Sequence, residues 1–205
     1  MEPFISVSGR AAPFTAPNVD TDVIMPKTFL KGVDRKGLDV GVFNLLRFQN
    51  GRPHPDFILN QPGFEGASFL VVGPNFGCGS SREHAVWGLK QLGIRALIGS
   101  TFAGIFDDNC RNNGVLTIKL APEEVRDLAE RVSAPETNCL TVDLAKQTIL
   151  HEASGAVIGF CIEATRKEAL MSGLDAISAT LSHADDIRAF EARHRLANPW
   201  FYKSA

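Results

Sequence analysis

The stretch Ser68-Phe69-Leu70-Val71-Val72-Gly73-Pro74-Asn75-Phe76-Gly77-Cys78-Gly79-Ser80-Ser81-Arg82-Glu83-His84-Ala85-Val86-Trp87-Gly88-Leu89 sets an apolar run, a glycine-bearing turn and a helical pattern in immediate succession. Ser68 to Gly73 reads as a strand and the residues from about Ser81 to Leu92 as a helix, which makes a β–loop–α unit. Toward the C-terminus the pattern repeats. The run Ala96 to Ser100 is followed by a short helix from Gly104 to about Asn112 closed by Gly114, then by a strand from Val115 to Leu120 and a helix opened by Pro122. In that last helix Val125, Leu128, Ala129 and Val132 fall on one face. Three strands joined by helical crossovers predict a parallel sheet with helices on its faces.

Further out the pattern changes. Leu140 to Leu144 and Ala156 to Ile162 are strand-like and suggest a small antiparallel addition. Ser182 with Asp185 three residues on resembles a capping box, ahead of a helix whose apolar face includes Ile187 and Phe190. From Met1 to about Pro62 turn signals at Pro17-Asn18, Lys31-Gly32, Asn50-Gly51 and Pro53-His54-Pro55 punctuate short apolar pieces such as Val23-Ile24-Met25 and Val42-Phe43. The expected fold is α/β in three layers: one domain over 1–205, with an irregular part over 1–62, a β–α core over 63–134, and an antiparallel addition with C-terminal helices over 135–205.

Composition narrows the function classes. With 21 Lys+Arg against 23 Asp+Glu the formal net charge is −2, which offers no concentrated basic surface for nucleic acid or anionic membranes. The longest uncharged run, Gly66 to Ser81, is shorter than the ~20 apolar residues of a spanning helix. No basic start followed by an apolar block marks a secretion signal, so the expected compartment is the cytoplasm. Cys78, Cys110, Cys139 and Cys161 form no Cys-x-x-Cys pair, so the chain is expected to hold no metal by itself and to carry buried free thiols.

The loop Asn75 to His84 concentrates the chemistry. Gly77 and Gly79 let the backbone turn tightly, while the following helix aims free N–H groups and its positive dipole end at the same point. A carboxylate is the simplest anion for such a place, and Arg82 could hold one through two parallel hydrogen bonds. The third glycine of a dinucleotide fingerprint is missing, and the phosphate-loop and Gly-x-Ser-x-Gly patterns are absent. Nicotinamide, NTPase and α/β-hydrolase readings therefore fall.

Phe76-Gly77-Cys78-Gly79-Ser80-Ser81-Arg82-Glu83-His84-Ala85, preceded by Asn18-Val19-Asp20-Thr21-Asp22-Val23-Ile24-Met25-Pro26-Lys27, resembles the aconitase superfamily, and within it the small subunits of bacterial 3-isopropylmalate dehydratases. Pro55-Asp56-Phe57-Ile58-Leu59-Asn60, Ser100-Thr101-Phe102-Ala103, Asn112-Asn113-Gly114 and Gly173-Leu174-Asp175 extend the likeness over nearly the whole chain. The resemblance implies a swivelling β/β/α domain that completes a site with a large subunit, whose three cysteines hold a [4Fe–4S] cluster. It implies an isomerisation of 2-isopropylmalate to 3-isopropylmalate through 2-isopropylmaleate, by loss and return of water, in leucine biosynthesis. On this likeness Ser80 is the base, Ser81 and Arg82 bind substrate carboxylate, and Asp22 organises polar groups. Lys27 and Thr28 to Val33 lie where relatives place a substrate-recognition loop. Arg35 is a candidate second carboxylate binder that no motif pins there.

Plainer readings stand beside these. A Ser-Ser pair before a helix often only caps it. His84 reads as a helix-start hydrogen-bonding residue, Trp87 and Leu89 as core, and Asp107-Asp108 as a solvated face, since adjacent helical residues point apart. Val42-Phe43-Asn44-Leu45-Leu46-Arg47-Phe48 departs from the family's usual pattern, so a related hydro-lyase acting on 2-methylmalate/citraconate or homoaconitate is a second reading. A non-catalytic anion-binding module is a third.

Overall fold

The computed structural model describes residues 1–30 and 35–202. The chain forms two compact units, Met1–Gly173 and Leu174–Ala205. In the first, the strands are β1 (Ser6–Phe14), β2 (Phe48–Gln49), β3 (Arg52–Pro53), β4 (Phe69–Val72), β5 (Ala96–Gly99), β6 (Leu116–Lys119), β7 (Cys139–Asp143), β8 (Thr148–His151) and β9 (Ala156–Gly159). Its helices are α1 (Thr21–Ile24), α2 (Asn44–Arg47), α3 (Glu83–Gln91), α4 (Gly104–Asn113), α5 (Pro122–Arg131) and α6 (Ala164–Ser172). Seven strands make one sheet in the order β6-β5-β4-β1-β7-β8-β9, while β2 and β3 form a separate hairpin.

The long strand β1 joins two halves of this sheet. Its residues Ala11 to Phe14 pair in parallel with β4, and Ser6 to Arg10 pair antiparallel with β7. β4, β5 and β6 continue in parallel on one side, and β7, β8 and β9 run antiparallel on the other. The parallel sheet thus has four strands rather than the three expected, because β1 falls in the part read as irregular. Its sequence, Ser-Val-Ser-Gly-Arg-Ala-Ala-Pro-Phe, shows no strong alternation and contains Pro13. Pro13 is tolerated because that half of β1 is paired only through β4, so the missing N–H breaks no second ladder. The antiparallel part likewise holds three strands rather than the two expected, the third being β8.

Side-chain alternation in the parallel strands creates two cores. Leu70, Val72 and Leu97 face a cluster with Ala85 and Leu89 of α3, Phe106 and Cys110 of α4, and Val42 and Phe43. Phe69, Val71, Ala96, Ile98, Leu116 and Ile118 face the other way, onto Val125, Leu128 and Ala129 of α5 and Leu140, Val142 and Ile149 of the antiparallel strands. The layers are therefore helix, parallel sheet and antiparallel sheet, with α5 sharing the second interface. The predicted apolar face of α5 is buried at all four positions. Gly114 closes α4 at φ +76, as a left-handed C-terminal cap requires.

The second unit contains α7 (Ala176–Leu181), α8 (Ala184–Ala197) and a 3₁₀ turn over Pro199–Tyr202. The expected capping box is not formed. Ser182 donates instead to the Ala179 carbonyl at 2.6 Å, and Asp185 pairs with Arg188 at 2.7 Å, so His183 occupies the cap position of α8. Ile187 and Phe190 are exposed within the unit rather than packed into a core. Among the described residues no helix is long and apolar enough to cross a membrane.

Asp107 departs furthest from expectation. Its neighbour Asp108 is solvated and pairs with Arg111 at 3.1 Å, but Asp107 points inward. There it accepts from Arg166 of α6 and Lys119 of β6, both at 2.8 Å, and from the Thr117 hydroxyl. Burial alone would raise its pKa, yet the hydrogen bonds from Arg166, Lys119 and Thr117 and the Arg166 charge outweigh it, leaving a value of about 2. A carboxyl held below its unfolded value stabilises the fold above the unfolded pKa, and that contribution disappears as pH falls from about 4 through 2. Asp107→Asn should therefore lose on the order of 2 kcal/mol in urea unfolding at pH 7. The gap to the unsubstituted chain should narrow below pH 4; a gap that stays constant down to pH 2 would contradict the linkage.

Candidate functional site

Parallel strands deliver their C-terminal ends to one edge, and the loops after β1, β4 and β5 meet there. After β1, residues 15–20 run alongside the loop that follows β4. Asn18 N–H donates to the Pro74 carbonyl at 2.9 Å, Gly77 N–H to Val19 at 2.7 Å, and Thr21 N–H to Cys78 at 2.9 Å. Asp20 and Cys78 form a parallel bridge. The loop after β5 closes the other side, where Phe76 bridges Phe102 and the Thr101 hydroxyl accepts from Asn75 N–H at 2.8 Å.

Gly77 shows why glycine is needed in this turn. Its φ is +78, and a Cβ there would sit 2.1 Å from the Phe106 ring. Phe106 lies under the loop and meets Phe76 edge-on at 5.6 Å. α3 is tied to α4 through Asn113, which accepts from Trp87 Nε1 at 3.0 Å and donates to Glu83 Oε1 at 2.7 Å. Lys90 Nζ adds a bond to the Asn113 carbonyl at 2.8 Å.

On this base the chemical groups assemble. α3 begins at Glu83, two residues later than expected, with Arg82 at the cap position and no side-chain cap bond. Neither serine is therefore spent on capping, and both Ser80 and Ser81 are exposed. Ser80 is bonded to Thr21: their hydroxyls are 3.1 Å apart, Ser80 N–H donates to Thr21 Oγ1 at 3.2 Å, and Thr21 Oγ1 lies 3.1 Å from the Ser80 carbonyl. Arg82 forms an ion pair with Asp22 through Nη1 and Oδ1. The hydrogen bond from Arg82 draws the Asp22 pKa down against burial, and the charges of Arg82 and Lys27 add to it. Asp20 is occupied otherwise, capping α1 by accepting from Val23 N–H at 2.8 Å.

The sequence candidates thus divide. Ser80, Ser81, Arg82 and Asp22 come together, with the Lys27 charge close enough to act on Asp22. Arg35 stacks on the Trp87 ring at 4.1 Å, a turn along α3 from the loop. His84 lays its ring against the same Trp87, 4.5 Å between centroids. Of the recognition loop, Lys27–Phe29 form a 3₁₀ turn, while residues 31–34 lie outside the described residues. Thr21 is the residue sequence reading missed. It is 1% exposed between two aspartates, and nothing in Asp20-Thr21-Asp22 announces that its hydroxyl turns inward.

An apolar cleft of about 740 Å³ opens on the α5 side of the same strand ends, yet none of Ser80, Arg82 or Asp22 lines it. Among the described residues no three of His, Cys, Asp and Glu converge as a metal-binding group. The four cysteines are free, and only Cys110 is buried; Cys139 and Cys161 are exposed and Cys78 is half-buried, against the expectation of buried thiols. The arrangement offers two exposed hydroxyls beside a mostly buried guanidinium, groups suited to a carboxylate and a proton.

Comparison with known proteins gives the family. Residues 1–123 match the Aconitase C-terminal domain family, which defines the class of this fold and loop. Residues 177–202 match the C-terminal domain of the 3-isopropylmalate dehydratase small subunit. The chain is 59% identical over 201 residues to 3-isopropylmalate dehydratase small subunit 1 of Mannheimia succiniciproducens, with 98% of each chain covered. It is 54% identical over 206 residues to small subunit 2 of Salmonella typhimurium, covering 100% of this chain and 98% of that one. A crystal structure of a 3-isopropylmalate dehydratase from Methanocaldococcus jannaschii superposes with a TM-score of 0.67 at 27% identity, covering 91% and 99% of the two chains. The chain belongs to the 3-isopropylmalate dehydratase small-subunit family of the aconitase superfamily.

The role of Phe106 under Gly77 is open to test. Gly77→Ala should destabilise the chain by about 2–4 kcal/mol, the sum of a left-handed alanine and the clash with the ring. Gly66 has φ +69, but a Cβ there would meet nothing within 4 Å, so Gly66→Ala should cost only the backbone part. Equal losses in urea unfolding would show that Phe106 does not fix the turn.

Proposed function

We propose that this chain is the small subunit of a 3-isopropylmalate dehydratase, a hydro-lyase, and that it contributes the Ser80–Arg82 loop to a site shared with a large subunit. The observation that carries the site reading is one loop presenting Ser80 and Ser81 outward beside Arg82, whose side chain is mostly buried and is oriented by Asp22. An open loop of this kind cannot exclude water alone, and a covering surface is what a second chain would supply. Such an assembly should bury at least ~1,000 Å².

In this reading Arg82 keeps Nη1 on Asp22 and offers its remaining edge to a substrate carboxylate, with Ser81 adding a hydroxyl donor. Ser80 as alkoxide takes the proton from the carbon next to the hydroxyl-bearing one, and hydroxide leaves to give the unsaturated diacid. Return of water in the opposite sense delivers that proton to the other carbon. A serine serves as base only where its alkoxide is stabilised; the first N–H groups of α3 and the Arg82 charge supply positive potential there. An iron–sulfur cluster carried by the large subunit is the group this reading calls on for withdrawal of hydroxide. The scattered cysteines of this chain do not fit such a cluster, and none is assigned to it.

Co-expression with a large subunit, anaerobic cluster reconstitution and an ultraviolet assay of isopropylmaleate test the reading. Turnover should require both chains, and Ser80→Ala should lower kcat by at least ~10²-fold. Arg82→Lys should lower kcat/KM by roughly tenfold or more, since lysine cannot reproduce the forked contact. Preference for citraconate would move the substrate to a smaller diacid, and silence with every diacid in an intact complex would favour a binding module.

A further inference from the structure

We infer that Thr21 is a positioning residue for Ser80, a hydroxyl that turns its proton toward Ser80 Oγ when Ser80 is an alkoxide and away from it when Ser80 is protonated. The inference rests on the reading of Ser80 as the base and adds a second residue to it. Three contacts define the arrangement. Thr21 Oγ1 accepts from Ser80 N–H at 3.2 Å and lies 3.1 Å from both the Ser80 carbonyl and the Ser80 hydroxyl.

A threonine hydroxyl has one proton and two lone pairs, so it cannot donate to both Ser80 oxygens at once. With Ser80 protonated, Ser80 Oγ–H donates to Thr21 Oγ1, and Thr21 O–H points to the Ser80 carbonyl. With Ser80 as alkoxide, no proton remains between the two hydroxyls unless Thr21 supplies it, and rotation about its C–O bond does so. The proton Ser80 receives from carbon stays on Ser80, so Thr21 never changes its protonation state. Both arrangements use oxygen positions already present, and the switch requires no backbone movement.

The surroundings keep Thr21 in place. Its backbone N–H is bonded to Cys78 and its carbonyl accepts from Met25 N–H, both at 2.9 Å. The side chain is almost wholly buried, so water does not compete for its hydroxyl. Gly79, at φ +91, brings the loop close: a Cβ there would stand 3.6 Å from Thr21 Oγ1 and 3.2 Å from the Asp20 Cβ. The charged groups around the pair are Arg82 and Asp22, which are bonded to each other, Lys27, which acts on Asp22, and Asp20, which caps α1. Cys78 is the other titratable neighbour, with its carbonyl on Thr21.

The test uses the two-chain enzyme. Thr21→Val keeps the shape and removes the donor. It should lower kcat by roughly 10- to 100-fold, the worth of a hydrogen bond to a charged group. KM should move much less, and the rising limb of the kcat/KM pH profile should shift to higher pH because the alkoxide is less stable. Thr21→Ser should restore both kcat and the limb, which mere filling of space would not achieve. Thr21→Cys, a weak donor of similar size, should shift the limb in the same direction by less and serves if the valine variant does not assemble. An unchanged limb in Thr21→Val or Thr21→Cys, with Ser80→Ala inactive, overturns the inference and leaves Ser80 as base. Full activity in Ser80→Ala overturns both.

Discussion

Three backbone hydrogen bonds between residues 18–21 and 74–78 hold the site together, because they align two segments that are more than fifty residues apart in sequence. Each segment alone is a loop. Side by side they set Thr21 against Ser80 and Asp22 against Arg82, so the hydroxyl and the guanidinium are oriented before any ligand arrives. The alignment follows from topology: β1 and β4 are parallel neighbours and release their loops at the same edge. If substrate binds here as proposed, a conformational cost that would otherwise fall on binding is met when the chain folds.

That edge is supported from two directions. Below the loop, Phe106 fills the space that a side chain at Gly77 would take, and Asn113 fastens α3 to α4. Farther along, Asp107 ties α4 to β6 and α6 through Thr117, Lys119 and Arg166. One helix therefore carries the support for the loop and a largely buried ion cluster on neighbouring residues, Phe106 and Asp107. The cluster contributes near neutral pH, where the carboxylate is charged and the cations are paired with it, and weakens only in strong acid. The open face of the loop is free of these constraints.

The core of this fold was legible where pattern and position agree. β4, α3, β5, α4, β6 and α5 follow from alternation of apolar runs with helical spacing, and Gly114 and Pro122 mark boundaries where the structure has them. β1 was not legible, because its burial comes from pairing on different sides along its length rather than from an alternating pattern. Asp107 looked like a surface residue because its three partners lie 10 to 59 residues away. Among the site residues, Arg82 was legible from the residues alone as a carboxylate holder at an anion-binding turn, whereas the roles of Ser80, Ser81 and Asp22 were reached through a family resemblance. Thr21 was missed because inward orientation of a hydroxyl in a polar segment is decided by the neighbouring loop. The apolar positions of α8 were misjudged for the opposite reason: Ile187 and Phe190 have the spacing of a core face, yet their unit buries neither.

A crystal structure of the assembled two-chain enzyme with a bound isopropylmalate tests the central claim most directly. The account predicts a substrate carboxylate on the edge of Arg82 that Asp22 leaves open, and Ser80 Oγ about 3–3.5 Å from the carbon that gives up its proton. A diacid held with Ser80 turned away from both carbons, or with Arg82 contacting only Asp22, would contradict it.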